Sequence, residues 1–342
     1  MDKKDKKNFI GIALRGIGMG AADVVPGVSG GTIAFITGIY EELLETISGL
    51  KLSLLKTWKK EGFMAMWREG NFSFLFALFT GIIISIASLS ILIKHLLATY
   101  PIHLWAFFFG LIIASVWLVG KSVKQWNVKN ILGVVIGTIA AYFITTISPS
   151  QESNNLFYIF ICGSIAICAM ILPGISGSFI LLLLGAYTTV LGAVSGLIEA
   201  LKASNWDLVF SNGIMLCVFV LGCLVGLISF SRILNWLFKK AHDFTVAILT
   251  GFLIGSLNKI WPWKRIIEPH FKHQGEPDEV LVPLVEQNIS PGSYPEAASA
   301  FNAKYNWTLP EEHFLWVSIA LALIGIAIII VLDKVGKPKK SA

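Results

Sequence analysis

Val25-Pro26-Gly27-Val28-Ser29-Gly30-Gly31 and Leu172-Pro173-Gly174-Ile175-Ser176-Gly177-Ser178 are two versions of one phrase, and reading them decides the fold. Each is followed at the same distance by Gly-x-Tyr, as Gly38 and Tyr40, then Gly185 and Tyr187. One offset of 147 residues joins both matches (173 − 26 and 187 − 40). The surroundings are so apolar that both copies belong at or in a membrane. A Pro-Gly-x-Ser-Gly break there frees backbone N–H groups where no water can pair with them, so each break must be buried in protein or line a cavity. A doubled, broken helix is also the best sequence pointer to a transporter's binding site.

Composition agrees. Of 342 residues, 55% are hydrophobic and 14% charged, where a soluble globular chain carries about 25% charged residues. The mean hydropathy is +0.73. The net charge of +6 could suggest nucleic acid, but the basic residues stand in loops beside apolar runs. There they act as topology signals, and no nucleic-acid partner is expected. Cys162, Cys168, Cys217 and Cys223 all lie inside apolar runs without a His or carboxylate, so they read as packing residues. Neither metal nor cofactor is expected. Nothing resembles a cleaved signal peptide, because the first apolar segment runs straight into the Pro-Gly motif.

The loops set the topology. Lys3, Lys4, Lys6 and Lys7 precede segment 10–50, and Lys51, Lys56, Lys59, Lys60 and Arg68 follow it. Both flanks read as cytoplasmic, so 10–50 is a hairpin. Segments 73–93, 103–120 and 130–148 then cross in turn, with Lys121, Lys124 and Lys129 marking the cytoplasmic loop between the last two. The second motif's segment, 157–198, starts outside and returns there, since 199–210 holds only Lys202 against Glu199 and Asp207. Segments 211–231, 244–261 and 313–332 complete the chain, with Arg232, Lys239, Lys240 and the C-terminal lysines on the cytoplasmic side. Residues 262–312 form an extracytoplasmic loop with four Lys/Arg (Lys264, Arg265, Lys272, Lys304) against eight Asp/Glu.

The expected architecture is an all-α polytopic membrane protein forming one transport domain over 1–342. Repeat 1 covers 10–148 and repeat 2 covers 157–332, each a hairpin followed by three crossings. Three is odd, so the second repeat is inverted, and both termini are cytoplasmic. A second echo supports the duplication: Gly110-Leu-Ile-Ile-Ala-Ser115 matches Gly251-Phe-Leu-Ile-Gly-Ser256 at an offset of 141 (251 − 110). Re-entrant hairpins and hairpins that reach right across satisfy the loops equally.

In each break, Pro26 or Pro173 ends a helical piece, and Gly27 or Gly174 permits a sharp turn. Ser29 or Thr32 can cap the following helix. Its unpaired N–H groups and partial positive charge make a generic anion site. Two tips meeting from opposite sides would form a polar pocket suited to phosphate, lined by Ser29, Thr32, Ser176 and Ser178. The bland alternative is a tight helix crossing in which Gly and Ser serve packing only.

Asp23 and Arg15, eight residues apart (23 − 15), lie in or near the apolar zone, where charges mark pathways or paired sites. Arg15 can bind an anionic head group or snorkel to the interface, and Asp23 can take up a proton or hold Arg15. Met170 replaces Asp23 in the second copy (170 − 23 = 147). Gly27-Val28-Ser29-Gly30 fits the pattern around an intramembrane protease serine, but the histidines all lie in loops or at crossing ends. No Gly-Lys-Ser/Thr follows the glycines, so a nucleotide loop is also excluded.

The run from Arg15 through Met19-Gly20-Ala21-Ala22-Asp23 to Pro26-Gly27-Val28-Ser29-Gly30-Gly31-Thr32, then Gly38-Ile39-Tyr40-Glu41, closely resembles the opening of the PopT family of bacterial polyprenyl-phosphate transporters. Gly251 to Lys264, ending Trp261-Pro262-Trp263-Lys264, resembles that family's later signature. The resemblance spans about 10–332. It implies flipping of undecaprenyl phosphate from the outer to the inner leaflet of the cytoplasmic membrane, recycling the lipid carrier of envelope synthesis. It also implies Arg15, Asp23, Ser29, Gly30, Glu41, Ser176 and Gly177 as site residues. Gly31 and Ser178 join them as tip residues, with protons or another ion as the coupling partner. Rival classes are a carrier or channel for a soluble anion and an intramembrane lipid-phosphate hydrolase. Phosphate uptake without polyprenyl lipid would favour the first, and release of free phosphate the second.

Overall fold

Close approach of backbones at glycine decides which helices touch. The computed structural model describes residues 9–23, 29–51, 53–146, 155–272 and 280–336, and is mostly helical. The first half runs α1 (Phe9–Asp23), α2 (Gly30–Ile36), α3 (Tyr40–Ser48), α4 (Ser53–Glu61), α5 (Phe63–Glu69), α6 (Phe72–Thr99), α7 (Pro101–Gly120) and α8 (Val128–Thr146). The second half runs α9 (Leu156–Ile171), α10 (Gly177–Leu183), α11 (Tyr187–Lys202) and α12 (Trp206–Ser256). It closes with an antiparallel pair β1 (Lys264–Lys272) and β2 (Val280–Asn288), then α13 (Tyr294–Tyr305) and α14 (Leu315–Gly336).

The short helices α2 and α10 occupy equivalent stretches at the 147-residue offset (177 − 30 and 183 − 36). Both end the same way. Gly38 (φ 74°) and Gly185 (φ 64°) adopt the left-handed region that a side chain disfavours. Behind them, Ile39 N–H donates to Ala34 O at 3.0 Å and Ala186 N–H to Leu181 O at 2.9 Å. Tyr40 and Tyr187 then open α3 and α11, so the Gly-x-Tyr echo is a turn followed by a helix start.

Packing between longer helices also recurs. A Cβ on Gly16 of α1 would collide with the Leu78 carbonyl of α6, and one on Gly81 with the Ala13 carbonyl. In the second half, Gly163 of α9 faces the Phe219 carbonyl of α12, and Gly222 faces Phe160. The shift is 147 along the first helix (163 − 16) and 141 along the second (222 − 81). Further along, Gly110 of α7 lies on Ala322 of α14, while Gly251 of α12 lies on Val134 of α8. Small residues at such crossings allow the close backbone contact that drives helix association in lipid.

Two details go beyond the loop reading. Segments 211–231 and 244–256 lie in α12, a helical stretch of 51 residues made of two helices joined across a kink. At 1.5 Å per residue it would extend about 77 Å, more than twice the ~30 Å hydrocarbon core. It is interrupted at Ala241 (φ −146°, ψ 56°), and Tyr100, between α6 and α7, has nearly the same geometry (φ −133°, ψ 52°). These positions correspond at the second offset (241 − 100 = 141). His242 stands where Pro101 does, and without proline the two helices join across the kink. Residues 262–312, expected as an extracytoplasmic loop, carry β1, β2 and α13. The apolar cluster of Ile102, Trp263, Tyr294 and Ala298 anchors this part to the start of α7.

Among the described residues, α7, α8 and α12 are long and apolar enough to cross a membrane. A fourth span results if α5 and the start of α6, bent by 71°, count as one. The outward surface is apolar, with Phe76, Ile136, Phe210, Leu221, Leu323 and Trp316 exposed. Water would not tolerate so extended a surface, whereas lipid does.

Gly110→Ala and Gly251→Ala are each expected to destabilise the detergent-solubilised protein by about 1–3 kcal/mol, read as a lower unfolding midpoint. Gly213, whose added Cβ meets nothing within 4 Å, should tolerate alanine without loss. Equal behaviour of all three variants would remove close approach as the basis of packing.

Candidate functional site

The two motif tips are hydrogen-bonded to each other. Ser29 is the N-cap of α2: its backbone is extended (φ −120°, ψ 133°) and its Oγ accepts from Gly31 N–H at 3.1 Å. Of the two possible caps, this hydroxyl takes the role. It also donates toward the carbonyls of Met170 and Leu172, both at 3.1 Å. Those carbonyls lie at the end of α9, where the ladder ends and acceptors are left without helical partners. In return, Thr32 Oγ1 accepts from Gly174 N–H at 3.0 Å. Ser29 and Thr32 are both 0% exposed, so no water competes.

The glycines make this meeting possible. A Cβ on Gly31 would collide with the Ile171 carbonyl of the opposite tip. Gly174 has φ +87° and lies under the α12 backbone at Phe252 and Leu253. Pro173 is buried beside it, whereas Pro26 and Gly27 lie outside the described residues.

Asp23, the last residue of α1, accepts from Gly30 N–H at 2.7 Å through Oδ1. A carboxylate therefore occupies the first free N–H of α2, with a hydrogen bond of the short, charge-assisted kind. A Cβ on Gly30 would come within 2.5 Å of Asp23 Oδ2, which explains glycine there. At the equivalent place in the second copy, a Cβ on Gly177 would meet the Met170 side chain at 3.2 Å. Ser176 and Ser178 bond to each other (2.9 Å) within their own tip.

Arg15 and Glu41 stand elsewhere. Arg15 is half-buried on α1 and, among the described residues, has no ion pair or hydrogen bond. Glu41 Oε1 lies 3.2 Å from His242 Nε2, directly after the Ala241 kink. His242 Nδ1 continues to Asp243 Oδ1 at 3.3 Å, and Asp243 Oδ2 accepts from Lys124 and Gln125 N–H at 3.0 Å. Lys239 and Glu45 add an ion pair at 3.0 Å between α12 and α3. The structure thus gathers Asp23, Ser29, Gly30, Gly31, Thr32 and Gly174, and sets Glu41 in a separate polar cluster at the kink.

Sequence reasoning missed the carbonyls of Met170 and Leu172 as the partners of Ser29. It also missed His242 and Asp243. Backbone acceptors carry no side-chain signature, and only the offset from Asp23 to Met170 marked the first of them.

A family model described as undecaprenyl phosphate translocase-like matches residues 19–277. The chain belongs to that family. The matched stretch contains both tips and ends between β1 and β2. A Vibrio cholerae protein named polyprenyl-phosphate transporter is 44% identical over 328 residues, covering 96% of this chain and 97% of its own. A Staphylococcus aureus protein of the same name is 32% identical over 261 residues, 73% of this chain and 85% of its own. No solved structure matches the chain.

Thr32→Val leaves the buried Gly174 N–H without an acceptor and should cost about 1–3 kcal/mol of stability. Thr32→Ser keeps the acceptor and should cost under about 1 kcal/mol for its lost methyl. Thermal unfolding in detergent separates the two, and equal midpoints would mean that the bond contributes nothing.

Proposed function

We propose that this protein is a flippase that carries undecaprenyl phosphate from the outer to the inner leaflet of the bacterial cytoplasmic membrane, returning the lipid carrier to envelope synthesis. Family membership and the printed names of the relatives support the substrate class. The observation that carries the mechanism is the mutual hydrogen bonding of the tips, Ser29 to Met170 and Leu172, and Gly174 to Thr32.

In this proposal the two halves are inverted repeats, and the tips approach from opposite faces and meet inside the membrane. The recurring contacts of Gly16 with Leu78 and Gly163 with Phe219, and the matching breaks at Tyr100 and Ala241, favour one ancestral unit used twice. Six crossings then accompany the two hairpins, with α12 providing two of them.

The observed arrangement is the closed one. Gly30 N–H is held by Asp23, Gly31 N–H by Ser29 and Gly174 N–H by Thr32. A phosphate passing between the tips competes for these donors, while its polyprenyl chain stays in lipid. Each exchanged neutral bond is worth roughly 0.5–1.5 kcal/mol, so a head group can open the contact at small net cost. Asp23 is the coupling group: protonation weakens its hold on Gly30 N–H and clears the place for the phosphate. Arg15 meets the head group on the cytoplasmic side, and Ser176 and Ser178 offer the second tip's hydroxyls.

In cells lacking other carriers of this lipid, Asp23→Asn, Arg15→Ala and Ser29→Ala should each slow inward flipping about tenfold, as expected for one lost charge-assisted bond. The readout is undecaprenyl phosphate accumulating on the cell surface, normalised to the folded protein. Normal clearance by all three variants would defeat the site assignment.

A further inference from the structure

A cavity of about 340 Å³ lies between the end of α8, the helix α10 of the second tip, and the strands β1 and β2. Thr146, Phe179 and Asn258 line it together with three charged side chains, Lys259, Lys264 and Glu286. Glu286 Oε2 receives both ammonium groups, Lys259 Nζ at 3.0 Å and Lys264 Nζ at 3.2 Å. All three are largely shielded, with the Lys259, Lys264 and Glu286 side chains 19%, 7% and 16% exposed.

One carboxylate between two ammoniums leaves a net positive charge in a shielded space. Each ammonium has three N–H donors. Beyond Glu286, Lys259 faces the Phe179 ring at 4.7 Å and Lys264 the Trp105 ring at 4.4 Å. Among the described residues, no further hydrogen-bond acceptor or acid reaches either one. A shielded charge is costly unless paired and hydrogen-bonded, so two ammonium groups sharing one carboxylate favour an added anion. Burial holds the Lys264 ammonium down to about 8, against the pull of Glu286. Burial also pushes the Glu286 carboxyl up, but Lys264 and Lys259 override it and bring it to about 2. Lys264 and Glu286 are therefore an ion pair at neutral pH.

A compact anion with several oxygens matches the net charge and the lysine donors of this cavity. A phosphate monoester carries up to two negative charges and three acceptor oxygens, enough to bridge both lysines. We propose that this cavity binds a phosphate monoester, with Lys259 and Lys264 as its ligands and Glu286 as a built-in competitor. That the ligand is a lipid head group waiting beside the second tip rests on the proposed function. A free phosphate offers the same chemistry.

The test uses the full chain in lipid nanodiscs with Thr146→Cys, at the cavity edge, as reporter. Maleimide labelling at that position is followed by peptide mass spectrometry, which separates it from the four native cysteines. The probes are undecaprenyl phosphate in the disc and inorganic phosphate in the buffer. Either should slow labelling, and Lys259→Gln or Lys264→Gln should move the midpoint about tenfold higher in probe concentration. Glu286→Gln should move it lower, a sign that loss of structure would not give. Lys259→Gln, at the more exposed lysine, carries the test if Lys264→Gln does not fold.

Protection by undecaprenyl phosphate alone identifies the lipid as the source, and protection by inorganic phosphate shows that the free anion suffices. Absence of protection by both probes, or midpoints unmoved in the lysine variants, overturns the site. Flipping without protection sinks this site alone. Protection without flipping removes the proposed function and leaves the anion site standing.

Discussion

Irregular backbone buried in an apolar medium must find its hydrogen-bond partners inside the protein. In this chain, each broken tip supplies what the other lacks. The one Ser29 hydroxyl proton is shared between the Met170 and Leu172 carbonyls at the end of α9, the second of which also accepts from Ile175 N–H, and Thr32 satisfies the N–H that the turn at Gly174 exposes. Without Ser29 the Met170 carbonyl loses its donor, and without Thr32 the buried Gly174 N–H loses its acceptor. Phosphate oxygens can accept from Gly174 N–H and from the Ser29 hydroxyl in place of Thr32 and the α9 carbonyls, and water can donate to those carbonyls, so a hydrated polar head group can replace this contact.

Around this contact several features of the scaffold recur. Glycine pairs set helix against helix at equivalent positions, and the breaks at Tyr100 and Ala241 share their backbone geometry. The copies are not chemically equal. Asp23 holds Gly30 N–H in the first tip, while Met170 stands in its place in the second and lends only its carbonyl to Ser29. The proposed coupling therefore resides in one tip, and the other acts as its partner. The polar cluster of Glu41, His242 and Asp243 joins α3 to the loop before α8 at the α12 kink, tying the first hairpin to the second half away from the tips.

Much of this was legible in the chain because repetition carries information that composition does not. The 147-residue offset marked α2 and α10, their ends at Gly38 and Gly185, and the helix starts at Tyr40 and Tyr187. The apolar runs marked α7, α8 and α14 to within a few residues. The short connection between 211–231 and 244–261 was not legible: Ala241 has no helix-breaking side chain to mark the kink, which stands out in the structure by its likeness to Tyr100. Nor was the sheet in 262–312, whose strands contain proline and charge and lack clean alternation. At the site, Ser29 and Thr32 were readable as polar residues at a break, but which cap and which bridge is a matter of geometry. Arg15 and Asp23 share a helix, yet the carboxylate turns to the nearby Gly30 N–H.

The central claim is that the two tips meet from opposite faces of the membrane. The sidedness of the hairpin exits tests it most directly, using Lys51→Cys after the first hairpin and Ser204→Cys after the second, both at exposed positions. A membrane-impermeant maleimide applied to intact cells, or to spheroplasts if an outer membrane bars entry, should label the Ser204 position. The Lys51 position should react only after the membrane is opened. Labelling of both positions from the same face would contradict the account.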